Sequence, residues 1–120
     1  MHILEQVMAW YPNKRLYRRP SSQSGQDIIS VYAPDAPCPV YSHAEWYADN
    51  WTSPGLAVDS AQSFFGQFAD LQKIAPVVAL LSNKQENAEY CHDVDRLKNC
   101  YLVFDAINCE DVYYSVRIYH

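Results

Sequence analysis

Glycine is scarce in this chain, three residues in 120. Loops that cradle phosphate need several glycines at fixed offsets, so nucleotide sites of that kind are excluded. Cysteine occurs four times, as Cys38, Cys91, Cys100 and Cys109, but never as a Cys-x-x-Cys pair. That removes the common zinc and dithiol motifs and leaves reduced thiols as the reading. No apolar run approaches the roughly 20 residues that span a bilayer. Residues 1–10, broken by Glu5 and Gln6, are too short and mixed for a signal peptide. Basic residues are outnumbered 9 to 14, for a formal charge of −5, which argues against a surface coated in cation for nucleic acid or membrane. These absences describe a soluble, cytoplasmic chain with no membrane partner and no cofactor. Any contact with nucleic acid would have to be local.

What is present is a large apolar fraction, 49%, with ten tyrosines. A chain of this length and content buries a core without staples, so residues 1–120 read as one domain. Its parts are a hairpin and proline-rich crossover over 10–41, a helical part over 42–75 and a β-repeat part over 76–120. The loop composition of residues 20–25, followed by Asp-Ile-Ile-Ser-Val-Tyr-Ala from Asp27, predicts a hairpin with residues 15–19 pairing against 28–32. Pro34, Pro37 and Pro39 then interrupt the chain, leaving a short extended piece at Val40 and Tyr41. Ser42-His-Ala-Glu45 has the spacing of a capping box and predicts a short helix from His43 to about Asp49. A second helix, capped by Asp59 or Ser60 and ended by Pro76, carries Ala61, Phe64, Phe65, Phe68, Leu71 and Ile74 at three- and four-residue steps. That stripe is expected to be buried against the C-terminal sheet, with substitution of Phe65 or Phe68 by alanine costing roughly 3 to 5 kcal/mol. Residues 76–81 read as a strand and 82–89 as a polar turn region.

The C-terminal part repeats. Cys91, Cys100 and Cys109 stand nine residues apart, as do Val94, Val103 and Val112, so the unit is Cys-x-x-Val. A short fixed period is the mark of stacked or ribbon-like β-structure. Cys and Val three apart on a strand face opposite sides unless a bend intervenes. Two geometries fit: an antiparallel meander, or a partial β-solenoid in which two units make an eighteen-residue coil and Cys91 and Cys109 lie on neighbouring rungs. Asn99-Cys100 and Asn108-Cys109 place a turn-favouring residue before each unit. The fold class is α+β: an N-terminal β-hairpin, one short and one amphipathic helix, and a C-terminal sheet or partial solenoid of nine-residue units, with an open edge that favours homo-oligomers or cover by the N-terminal part.

Chemistry is sparse. Cys91, His92, Asp93 and Asp95 offer ligand types in one stretch with Cys100 and Cys109 nearby, but nine-residue spacing lacks the tight pairs of zinc sites, and no metal site is assigned. Cys91 with His43 or His2 would be a nucleophilic pair without a motif to support it, and no catalytic residue is assigned. Asp93, Asp95, Asp105, Glu110 and Asp111 read as solvated turns. One surface signal stands out: Trp10, Tyr11, Lys14, Arg15, Tyr17, Arg18 and Arg19 mix cations that neutralise phosphates with rings that stack on unpaired bases, the recipe for single-stranded nucleic acid. The plainer reading is a solvated amphipathic strand.

The segments RLYRR, SGQDIISVYAPD, PVYSHAEWYADNW and FFGQF, followed by ENAEYC, NCYLVFD and NCEDVYYS, resemble uncharacterised proteins of metagenomic, candidate-phyla-type bacteria and phages. The likeness covers about residues 10–115. Those proteins carry an N-terminal zinc ribbon and a long tail of Asn-Cys/Tyr repeats, with no established activity, so the resemblance implies architecture. This chain has no cysteine pairs before Trp10, has Ser21 where similar sequences carry Cys, and reads as cut short of most of the tail. The functional expectation is a non-enzymatic structural or protein-interaction protein that uses a tyrosine-rich sheet face or open repeat edge to bind protein or itself. Nucleic-acid binding through residues 10–19 is the alternative, and a metal-dependent or thiol enzyme comes third.

Overall fold

The computed structural model describes residues 15–119. A hairpin forms first: β1 (Tyr17–Pro20) pairs antiparallel with β2 (Asp27–Ser30), Arg18 opposite Ile29. Gly25 makes the reversal possible with φ of +76°, and its N–H donates to Ser21 O. β3 (Val40–Tyr41) follows the three prolines and pairs in parallel with β4 (Val77–Val78). Residues nearly forty apart thus close the helical part into a loop.

Helix α1 (His43–Tyr47) has the expected capping box: Ser42 Oγ accepts from Glu45 N–H, and Glu45 reaches back to Ser42 N–H. The second helix, α2 (Phe64–Ile74), starts later than its sequence suggests. Asp59 accepts from Ala61 N–H and closes a separate turn, so the chain resets and Ser63 becomes the cap. Pro76 ends α2, with Ala75 already extended. A larger correction concerns the aromatic stripe. Phe64, Phe65 and Phe68 are 71%, 81% and 48% exposed, and no residue of α2 is buried. The stripe does not pack on the C-terminal sheet: α1 and β3 each meet β4, while α2 makes no substantial contact with a solenoid strand.

The C-terminal part is a β-solenoid of about three turns built from β5 (Ser82–Asn83), β6 (Glu86–Glu89), β7 (His92–Asp95), β8 (Lys98–Ile107) and β9 (Tyr113–Tyr119). All pairings are parallel and all have one offset. Ser82 lies beside Val94, Glu86 beside Lys98, His92 beside Phe104 and Tyr101 beside Tyr113, twelve residues on each time. From Lys84 to Arg117 every third residue has positive φ: Lys84, Asn87, Tyr90, Asp93 and so on to Tyr114 and Arg117. A left-handed residue turns the chain, so a twelve-residue turn has four three-residue sides.

The residue after each corner points inward. Cys91, Val94, Leu97, Cys100, Val103, Ala106 and Cys109 form the buried core, with Ala88, Val112 and Ile118 packed on it. The bend that could bring Cys and Val to the same side is therefore present at every unit. The rung is twelve residues, not eighteen. Nine is three sides and twelve is four, so the Cys-x-x-Val pattern precesses one side per turn. Cys91 stacks on Val103, Leu97 on Cys109 and Cys100 on Val112, and the thiols end on three different sides. No helix among the described residues is long and apolar enough to cross a membrane.

Candidate interaction surface

One side of the solenoid gathers most of its tyrosine. Stacking at a twelve-residue offset places Glu89, Tyr101 and Tyr113 in an outward column. The adjoining corner column is Tyr90, Leu102 and Tyr114, and their rings lock together edge to face: Tyr90–Tyr101 at 5.6 Å and Tyr101–Tyr114 at 5.7 Å. Along the other margin Asn87 Nδ2 donates to Asn99 Oδ1 at 3.0 Å, in a corner column where Asp111 comes next. Between these margins lies an open groove of about 370 Å³ lined by Asn87, Glu89, Asn99, Tyr101, Tyr113 and Tyr114. The charged side chain lining it is the carboxylate of Glu89, and Asp111 stands in the corner column of Asn87 and Asn99. Tyrosine hydroxyls, amides and ring faces on a rigid backbone can take hydrogen bonds and apolar contact together at small entropic cost. A phosphate would meet carboxylates there.

The neighbouring side sets one ammonium between two carboxylates. Glu86, Lys98 and Glu110 stack in one column, and Lys98 Nζ meets Glu110 at 3.3 Å. The hydrogen bond from Lys98 to Glu110, and the charges of Glu110 and Glu86, push the ammonium above its ordinary range. Asp105 accepts from Tyr119 Oη at 2.5 Å and from Arg117 Nε at 3.3 Å. The bond to Asp105 raises the Tyr119 phenol.

The basic patch fares differently. Trp10, Tyr11 and Lys14 lie outside the described residues. Arg15 is exposed and Tyr17 half-buried. Arg18 is held by Asp27 at 2.6 Å. Arg19 is buried and donates from Nη1 to Ala33 O at 2.7 Å, so its guanidinium fastens the crossover and does not face outward. Of the described cations, Arg15 and Arg18 are exposed and Arg19 is withdrawn from the surface.

The three repeat cysteines are packing residues. Cys91, Cys100 and Cys109 each donate an S–H to the carbonyl two residues earlier, at 3.3, 3.2 and 3.3 Å. Burial pushes the Cys91 and Cys109 thiols up, and the neighbouring Cys100 adds to it. A thiolate is disfavoured there. His43 and Cys91 do line one cavity of about 270 Å³ at the mouth of the coil, but a ring nitrogen of His43 meets Ser82 O at 3.1 Å. His2 lies outside the described residues. On one three-residue side Cys91 points in, His92 out and Asp93 stands at the corner, so these ligand types diverge. Among the described residues no three His, Cys, Asp or Glu side chains gather as a metal set.

Ser21 is buried. Its hydroxyl donates to Glu45 at 2.5 Å and accepts from Gln23 N–H at 3.1 Å. Burial raises the Glu45 carboxyl, but hydrogen bonds from Ser21, Ser24 and Ser42 outweigh it and hold the group down at about 2. No family model, curated protein or solved structure matches this chain.

Proposed function

We propose that this chain is a non-enzymatic protein-interaction protein whose tyrosine- and asparagine-lined solenoid face binds a protein partner. The observation that carries this reading is the groove between the Asn87–Asn99 ladder and the interlocked Tyr90, Tyr101 and Tyr114 rings. Tyrosine supplies large amphipathic contact area with few rotors, and carboxylate borders favour a polar or basic protein segment over a phosphate backbone. β9 is hydrogen-bonded to β8 on one side, and among the described residues no strand pairs with its other side. That edge offers backbone groups to a further strand, including one from a second copy. Buried S–H donors support a reducing, cytoplasmic setting. Kinship with the metagenomic repeat proteins belongs to the same proposal, since its Asn-Cys/Tyr repeats fall on the Asn corners and inward Cys positions of the coil.

The test pairs two variants in parallel affinity capture and oligonucleotide titration. Tyr101→Ala with Tyr113→Ala is expected to lose bound protein, while Lys14→Ala with Arg15→Ala keeps it. Single-stranded oligonucleotide binding that weakens steeply with salt and disappears in the second variant would establish the basic segment as the working surface instead.

A further inference from the structure

The stripe on α2 is unpartnered among the described residues, and it is large. At roughly 200 Å² for a phenylalanine, the exposures of Phe64, Phe65 and Phe68 leave about 400 Å² of aromatic surface in water. Leu56, Val58 and Ile74, also exposed, bring the patch toward the roughly 800 Å² that each side of a stable interface contributes. Monomers rarely carry so much contiguous apolar surface.

The patch has relief. Residues 56–62 fold back on the helix, fixed by Gln67, whose Oε1 accepts from Asp59 N–H at 2.8 Å and whose Nε2 donates to Asp59 O at 2.9 Å. Between loop and helix runs a groove of about 300 Å³ whose apolar lining is Leu56, Val58, Phe64, Phe68 and Leu71. Phe65, the most exposed of the three rings, stands beside this groove and does not line it. The same surface therefore presents a knob and a hole. The patch carries little net charge: Asp70 and Lys73 pair with each other at 2.9 Å, and Asp59 at the groove margin has its carboxylate turned to Ala61 N–H and Gln62 Nε2.

We propose that a second copy of this chain docks here, α2 against α2 about a two-fold axis, each Phe65 seated in the other copy's groove. A two-fold interface requires a self-complementary patch, and a knob beside its matching hole supplies one. The antiparallel crossing also sets opposed helix dipoles side by side. This surface shares no residue with the Tyr101–Tyr113 groove, so it stands or falls independently of the function proposed above.

Sedimentation velocity of the full chain across a wide concentration range tests it, with circular dichroism to confirm folding. The wild-type chain is expected to be a dimer that dissociates on dilution. Phe65→Asp, and the milder Phe65→Ser, are expected to weaken association about thirtyfold or more, as for a central aromatic anchor. Tyr101→Ala with Tyr113→Ala is expected to leave it unchanged. A wild-type chain monomeric at every concentration overturns the proposal, and slow amide exchange in α2 of that monomer would assign the cover to residues 1–14. A dimer that survives both Phe65 substitutions overturns it equally.

Discussion

Positive φ at every third residue from Lys84 to Arg117 is the most costly demand this fold makes on single side chains. Half of the twelve corners hold Asn or Asp, which tolerate the left-handed region by bonding locally, while Lys84, Tyr90, Arg96, Leu102, Tyr114 and Arg117 do not have that help. Lys84 is exposed, so Lys84→Asn is expected to raise stability by about 0.5–1 kcal/mol in urea unfolding. Asn99→Ala loses both the corner preference and the bond with Asn87 and is expected to cost about 1 kcal/mol. Glu45 gives a pH signature. Its folded value, about 2, lies below that of an unfolded glutamate, so its contribution is fully present above the unfolded value and fades as pH falls toward 2. Glu45→Gln is expected to lower the melting temperature at neutral pH and to match the parent near pH 2.

At the scale of elements, the coil and α2 respond oppositely to truncation. Leu97 is fully buried, and Leu97→Ala is expected to cost about 3 kcal/mol. Phe65→Ala, measured where the chain is monomeric, is expected to cost little, since the ring is mostly in water. The coil also makes a length prediction. Deleting residues 95–106, one whole rung, keeps inward and outward positions and every column. Deleting nine residues, 95–103, keeps the three-residue alternation but moves each column one side, seating Asn108 on Asn87 while placing Glu110 on Glu89 and Asp111 on Tyr90, so the Tyr ladder is parted. The twelve-residue deletion is expected to melt higher than the nine-residue one.

Across the whole molecule, the hairpin is fastened by a few buried groups to the segment that leads from β4 into the coil. Ser30 is fully buried; its hydroxyl donates to Ala79 O at 3.2 Å and accepts from Tyr32 N–H at 2.9 Å, while Val31 N–H donates to Ala79 O at 3.1 Å. Ser30→Ala strands a buried donor and is expected to cost about 1–3 kcal/mol. Amide exchange should then quicken in residues 17–32 and hold steady in the solenoid, whose pairing lies within itself. The two exposed surfaces, tyrosine groove and phenylalanine stripe, sit on different halves of the chain.

Much of this was legible in the residues. The hairpin, the capping box at Ser42, the stop at Pro76 and the repetitive β tail follow from local chemistry, which acts between neighbours and leaves a mark at fixed spacing. The Cys and Val positions are inward, because every one belongs to a three-residue series. The groove was readable only in part: Tyr101 and Tyr113, like Asn87 and Asn99, stand twelve apart, but the stronger nine-residue recurrence of Cys masked that interval. Tertiary structure alone decided that four sides close a turn, since closure depends on which rung stacks on which and not on any one residue's preference. It alone decided that Arg19 is spent on Ala33 and that the α2 stripe faces water. An amphipathic stripe declares that a helix must be covered; what covers it is a property of the surfaces that meet.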